Sequence, residues 1–174
     1  MSLDRFSAAW REEYVTSATR DEKLHGPGAC VFCTLLAEGV SSSSGVIAIA
    51  KHSFVILNAY PYGSGHVLVL PRRHVSDLSE FSDDEADDFF RTLRRAVAAV
   101  NLAYSPDGAN VGFNLGRAAG AGIPQHLHGH VLPRWSGDTN FMTSIGETRV
   151  LPESLATTWE KVSRTWTNGQ DASL

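Results

Sequence analysis

The chain has few of the features that mark membrane, secreted and nucleic-acid-binding proteins. Its longest apolar runs are short, as at Val67 to Leu70, whereas a membrane-spanning helix needs about 20 consecutive apolar residues. The first residues, Met1 to Arg5, lack the charged-then-apolar order of a signal peptide. Fifteen Lys and Arg against nineteen Asp and Glu give a formal net charge of −4. This charge excludes a strongly basic surface for DNA or RNA and is compatible only with a local positive pocket. These absences predict a cytoplasmic protein with no membrane or nucleic-acid partner.

Cysteine is also scarce, since the chain has only Cys30 and Cys33. In a reducing compartment a pair three residues apart is more often a metal clip or a redox pair than a structural disulfide. Two thiolates cannot complete a tetrahedral zinc site, so histidines would have to supply the remaining ligands. The chain has seven histidines.

The patterning predicts a single α+β domain over residues 1–174. Ser82 and Glu85 have the form of a capping box, and the apolar spacing that follows predicts a helix from about Asp83 to Leu102. Helices are also expected over residues 3–19 and about 153–167. Short apolar runs predict strands paired as antiparallel hairpins, with the helices on one face of the sheet. These runs are 46–49, 54–57, 66–71 and 110–115.

Three alternating histidines, His126, His128 and His130, form the most informative pattern in the chain. On a strand they would share one face, about 6.6 Å apart. Buried imidazoles need hydrogen-bond partners, so three on one face favour a functional site over core packing. They could bind a metal whose water is the nucleophile, or one of them could attack phosphorus while the others hold the phosphate.

The loop before the triad favours direct attack on phosphorus. Gly116, Gly120 and Gly122 would allow backbone N–H groups to converge on an anion, as phosphate-binding loops require. The loop is not a Walker A motif, because no Gly-Lys-Ser/Thr follows it.

Residues His126 to Leu132 resemble the signature of the histidine-triad superfamily of nucleotidyl hydrolases and transferases, in which histidines alternate with apolar residues. Gly129 departs from it, since an apolar side chain is usual there. The ending of the triad segment is most similar to the branch of bacterial diadenosine tetraphosphate phosphorylases and fragile-histidine-triad-type hydrolases. The resemblance covers about residues 30–152. Its further segments are Asn58, Gly65–Pro71, Ser82–Val100, Asn114–Gly116 and Pro133–Met142.

The resemblance implies an antiparallel sheet of about five or more strands with a long helix packed on it. It also implies a homodimer or higher oligomer formed through the long helix and a strand. The histidine-triad core would span about 30–152, between an N-terminal helical extension and a C-terminal helix.

The same resemblance assigns roles to residues. His128 would attack the α-phosphorus of an adenine dinucleoside polyphosphate and form a covalent nucleotidyl-histidine, which phosphate or water would then cleave. His130 and Asn114 would hold the α-phosphate oxygens, His126 completes the catalytic set, and Asn58 would hold the ribose hydroxyls. The remaining substrate-binding positions are Gly116, Gly120, Gly122 and Gln125. Many relatives have Gln or Ser at the position of Gly122, so here a backbone N–H or a neighbouring side chain must take over that contact.

Some bacterial members carry a structural zinc, and the resemblance places its ligands at Cys30, Cys33, His74 and His126. Two sulfur and two nitrogen ligands are a set that zinc favours. No organic cofactor is expected. The alternative is a metal-free site with buried thiols and a hydrogen-bonded His126.

Three other functions stay open at this point. The first is a nucleoside phosphoramidase, which would cleave a P–N bond. The second is a zinc-stabilised module that binds adenine nucleotides without turnover. The third is metal-dependent hydrolysis at the three histidines, for which chelation would abolish the chemistry outright.

Overall fold

The computed structural model describes residues 30–139 and 153–168, with side chains up to Trp166. Within these ranges the chain forms three α-helices and a five-stranded sheet. The helices are α1 (Val31–Glu38), α2 (Asp83–Tyr104) and α3 (Leu155–Asn168). The strands are β1 (Val46–Ile49), β2 (Ser53–Leu57), β3 (Val67–Pro71), β4 (Gly108–Phe113) and β5 (Gly129–Arg134).

All neighbouring strands pair antiparallel, in the order β1-β2-β3-β5-β4. β5, the last strand in the chain, therefore lies between β3 and β4. In the register, His130 lies between Leu68 of β3 and Gly112 of β4. This insertion brings the end of the histidine triad beside residues that are far away in the sequence.

The two faces of the sheet pack against different elements. Val55, Val69 and Val131 point toward α2 and α3, and form one core with Phe89 and Trp166. The opposite face carries a second core around α1. Its buried members are Cys30, Phe32, Val46, Phe54, Ile56, Leu68 and Leu70. We call this second side the α1 face; it is the side on which the histidines lie.

Helix α2 begins as its sequence predicts. The Ser82 side chain accepts a hydrogen bond from the Glu85 N–H, and the Glu85 carboxylate accepts one from the Ser82 N–H. A cap of this kind contributes about 1 kcal/mol. Glu85 also pairs with Arg73, which ties the helix start to the segment after β3. The pKa of Glu85 is lowered to about 2, mainly by the hydrogen bond from Arg73.

The α+β fold with its antiparallel sheet is confirmed, but some predicted boundaries differ. Helix α2 extends to Tyr104, and β4 begins at Gly108 and ends at Phe113. Helix α1 was not predicted, because it spans only eight residues, too few for a helical period to stand out. The predicted helix over 3–19 lies outside the described residues. Of the helices in the described ranges, none has the length and apolarity needed to cross a bilayer.

The prediction that all three histidines lie on one strand is wrong in part. β5 begins at Gly129, so only His130 belongs to it. The His126 N–H bonds the carbonyl of Ile123 in a turn, and the Leu127 N–H bonds the carbonyl of Val75. Because these amides pair with loops rather than with a neighbouring strand, residues 126–128 form the approach to the strand.

Candidate active site and metal cluster

The three histidines lie on the α1 face but have different surroundings. The rings of His126 and His128 each lie 5.6 Å from Phe32, between centroids. The rings of His128 and His130 are 5.1 Å apart. His126 is directed at two cysteines, whereas His130 is directed at another histidine, His66. His126 therefore faces the cysteines in the manner of a metal ligand, whereas the rings of His128 and His130 lie side by side.

His128 is held by the main chain of its own segment. Its Nδ1 lies 2.8 Å from the carbonyl oxygen of His126, and because a carbonyl only accepts, Nδ1 must carry the proton. Burial lowers the pKa of His128 below its usual range, which keeps the imidazole neutral at pH 7. A neutral ring with its proton on Nδ1 has its lone pair on Nε2. Nε2 is therefore the nitrogen of this ring that can react as a nucleophile.

His130 receives a hydrogen bond that fixes its tautomer. The backbone N–H of Tyr62 donates to His66 Nδ1 at 3.0 Å, so the proton of a neutral His66 lies on Nε2. That Nε2 is 3.0 Å from Nδ1 of His130, to which it donates. A neutral His130 then carries its own proton on Nε2 and can donate it to an anion.

Both predicted asparagines lie beside this histidine pair. The Asn114 amide nitrogen is 3.5 Å from His130 Nε2. The Asn58 amide nitrogen is 3.3 Å from His66 Nδ1, and its oxygen accepts the Tyr60 N–H. Asn58 and Asn114 therefore approach the two ends of the His66–His130 pair.

The glycine-rich loop is folded back on itself. Gly116 and Gly120 have left-handed φ angles of 77° and 93°, whereas Gly122 does not have a positive φ. The N–H groups of Ala119 and Ala121 both bond the carbonyl of Gly116. These two amides are thus used within the loop. Gln125 is half-buried at its end, next to His126.

Four side chains converge beside the triad: Cys30, Cys33, His74 and His126. One sulfur or nitrogen atom from each lies within 4.8 Å of the others. The S···N distances are 3.3 Å for Cys30–His126, 3.5 Å for Cys33–His74 and 3.6 Å for Cys33–His126. Tetrahedral zinc with normal bond lengths places sulfur and nitrogen ligands about 3.6 Å apart. The cluster therefore fits a tetrahedral ion.

Protonation within the cluster agrees with metal ligation. His126 Nε2 donates to the carbonyl of Pro71 at 3.0 Å, which leaves the lone pair of Nδ1 facing the cysteines. Burial lowers the pKa of His126 to about 4, so this ring is neutral. Burial and the neighbouring Cys30 raise the pKa of Cys33 to about 11. A cation between the sulfurs would reverse that shift, since metal ligands bind as thiolates.

The structure brings in three residues that the sequence did not assign to the site: Phe32, Tyr62 and His66. Phe32 contacts two of the triad histidines, and the Tyr62 ring stacks on His130 with centroids 5.7 Å apart. His66, which the sequence analysis left without a role, is 1% exposed and contacts His130 directly. No local sequence pattern marks His66, because its contact with His130 depends on the pairing of Leu68 with His130 in the sheet.

Comparison with known sequences finds one matching family model and several curated relatives. The family model of the HIT domain matches residues 41–137. An AP-4-A phosphorylase of Mycobacterium tuberculosis is 40% identical over 167 residues, which cover 94% of this chain and 85% of that protein. A bis(5'-adenosyl)-triphosphatase of Saccharomyces cerevisiae is 36% identical over 87 residues, 49% of this chain and 42% of that protein.

Solved structures show the same fold. A zinc-bound histidine triad family protein from Mycobacterium smegmatis superposes with a TM-score of 0.68 at 23% identity, covering 85% of this chain and all of that one. The Caenorhabditis elegans NitFhit protein gives a TM-score of 0.56 at 28% identity, over 71% of this chain and 27% of that one.

Proposed function

The chain belongs to the HIT domain family and is an enzyme of that family, and from this premise we propose that it cleaves adenine dinucleoside polyphosphates through His128. The observation that carries the proposal is the hydrogen bond from His128 Nδ1 to the carbonyl of His126. It leaves the lone pair on Nε2 of a buried, neutral ring. The relatives' names, a phosphorylase of AP-4-A and a triphosphatase, supply the substrate class.

The first step forms one bond and breaks one. Nε2 of His128 attacks the α-phosphorus, and the bond from that phosphorus to the bridging oxygen of the polyphosphate breaks. With diadenosine tetraphosphate, the products are an adenylyl-histidine and ATP. In the second step phosphate or water attacks the same phosphorus and releases His128.

His130 and Asn114 stabilise the charge that develops on the phosphoryl oxygens. The Nε2–H of His130 and the amide of Asn114 lie 3.5 Å apart, so both can donate to one oxygen between them. His66 keeps His130 in the donating tautomer. Asn58 binds the ribose hydroxyls, and the segment with Gly116, Gly120, Gly122 and Gln125 borders the polyphosphate.

Of the two acceptors, we propose inorganic phosphate, because the Mycobacterium tuberculosis relative is named a phosphorylase. Incubation of the protein with diadenosine tetraphosphate and phosphate is expected to give ADP and ATP in equal amounts, as resolved by ion-exchange chromatography. Water as acceptor would give AMP and ATP instead. Nucleotide binding without any product would contradict the enzyme proposal and favour a binding module.

The metal cluster binds structural zinc in this proposal. Zinc would supply a fixed positive centre that holds Cys30, Cys33, His74 and His126 together. Because the carbonyl of His126 positions His128, the cluster supports the nucleophile through a ligand two positions earlier in the chain. Both cysteines are free thiols, in keeping with a reducing cytoplasm, and cell fractionation would test that location.

The protein is proposed to form a homodimer through β4 and α2. β4 is an edge strand without Lys or Pro, the residues that commonly protect such edges. Val111 of this strand is 47% exposed, and Phe90 of α2 is 51% exposed. At the other edge, Trp159 of α3 covers β1 and donates to the carbonyl of Val46.

The substitution Val111→Lys places a charge on this edge and is expected to convert a dimer to a monomer in sedimentation equilibrium. A wild-type protein that sediments as a monomer at micromolar concentration would contradict the dimer proposal.

A further inference from the structure

Phe113 and Gly129 form the row of the sheet nearest the site. Phe113 is the last residue of β4 and Gly129 the first of β5, and the two are paired in register. Val69 of β3 pairs with Gly129 from the other side. Beyond this row both strands leave the sheet, and the next residues are Asn114 and His128. The row is therefore the point from which two of the site residues emerge.

The Phe113 ring occupies the space that a side chain at position 129 would take. A Cβ at Gly129 would lie 2.8 Å from Cε1 and 3.3 Å from Cζ of Phe113. Carbon atoms have their optimal separation at about 3.5–4.0 Å, so the first contact is a clash. The apolar side chain usual at this position is replaced by a ring from the neighbouring strand.

The ring is itself held from the helix side of the sheet. Its centroid lies 5.9 Å from that of Phe89 and 6.5 Å from that of Phe90, both on α2. Phe89 is 1% exposed and belongs to the core under the sheet. Phe113 thus connects a buried residue of the long helix to the start of the catalytic strand.

We propose that Phe113 is a positioning residue for the catalytic histidines, acting by its packing on Gly129. The ring limits the distance between β4 and β5 at their last shared row, and through it the separation of Asn114 from His128 and His130. The role in catalysis rests on the proposed function, but the packing does not.

The test changes the sizes of the side chains at positions 113 and 129, first singly and then together. Phe113→Ala is expected to lower kcat for diadenosine tetraphosphate about 10- to 100-fold, because a displacement of about 1 Å at a catalytic group can cost 100-fold. KM should change less than threefold, since Asn58 lies elsewhere. Gly129→Val alone should lose at least as much kcat. The double variant F113A/G129V should recover at least tenfold, because the new side chain fills the space of the ring.

Controls separate positioning from general destabilisation. Ile49→Ala removes an exposed apolar side chain from β1 at the opposite edge and should leave kcat unchanged. Rates are measured at 25 °C on protein shown to be folded by thermal unfolding. If Phe113→Ala does not fold, Phe113→Leu and Gly129→Ala are used in its place.

A second measurement does not depend on turnover. The ¹⁵N imidazole resonances of His128 and His130 should shift in F113A and return toward wild-type values in F113A/G129V. If these shifts occur but the wild-type protein has no activity, the proposed function fails and the positioning role stands. If the double variant restores neither kcat nor the resonances, the positioning role is wrong.

Discussion

Replacing His128 with asparagine is expected to reduce turnover of diadenosine tetraphosphate by about 10⁴-fold or more, which is the scale seen when an enzyme loses its nucleophile. The side-chain amide of asparagine can still donate to the carbonyl of His126, so the local structure should survive. What is lost is the lone pair that attacks phosphorus. Nucleotide affinity should therefore change little, and steady-state rates together with equilibrium binding check both expectations.

His52→Asn is the matched control for this substitution. His52 lies at the turn between β1 and β2, and its bond to Asp88 uses the backbone N–H rather than the ring. The His52→Asn protein should turn over diadenosine tetraphosphate at the wild-type rate. If His128→Asn keeps more than a tenth of wild-type activity, the nucleophile is not His128.

Removing one metal ligand should affect stability strongly. Cys33→Ala is expected to reduce bound zinc from about one ion per chain to none, as measured by inductively coupled plasma mass spectrometry. It should lower the free energy of unfolding by about 4 kcal/mol where free zinc exceeds its dissociation constant a thousandfold. Turnover should fall as well, since His126 would lose a fixed position and with it the carbonyl that orients His128.

Chelation of the wild-type protein is the control for that prediction. It should lower stability to the level of Cys33→Ala, whereas the variant should not respond. Zinc affinity should decrease as pH falls, because the Cys33 thiol, with its raised pKa, must lose its proton to bind. A wild-type protein that carries no zinc and is indifferent to chelation would contradict the account of the cluster.

The sequence predicts those parts of the molecule that local patterns determine. Ser82 and Glu85 identify the start of α2, and apolar runs locate β1 to β4 to within about two residues. The spacing of Cys30 and Cys33 indicates a metal clip or a redox pair. The resemblance to the histidine-triad superfamily adds His74 and His126, and these four side chains do converge.

The parts that the sequence does not predict depend on register between distant strands. His66 and His130 are 64 positions apart and meet because Leu68 pairs with His130. The Phe113 ring fills the space beside Gly129, and this contact can be recognised only once β4 is known to pair with β5. Likewise, the turn at His126 depends on tertiary hydrogen bonds, which override the alternation that predicts a longer strand.

Mass spectrometry of protein quenched in acid-free denaturant during turnover tests the central claim most directly. With diadenosine tetraphosphate as substrate, a peptide containing His128 should gain one adenylyl group, and the His128→Asn protein should gain none. An active wild-type enzyme whose adduct maps to another residue would show that this imidazole does not attack phosphorus.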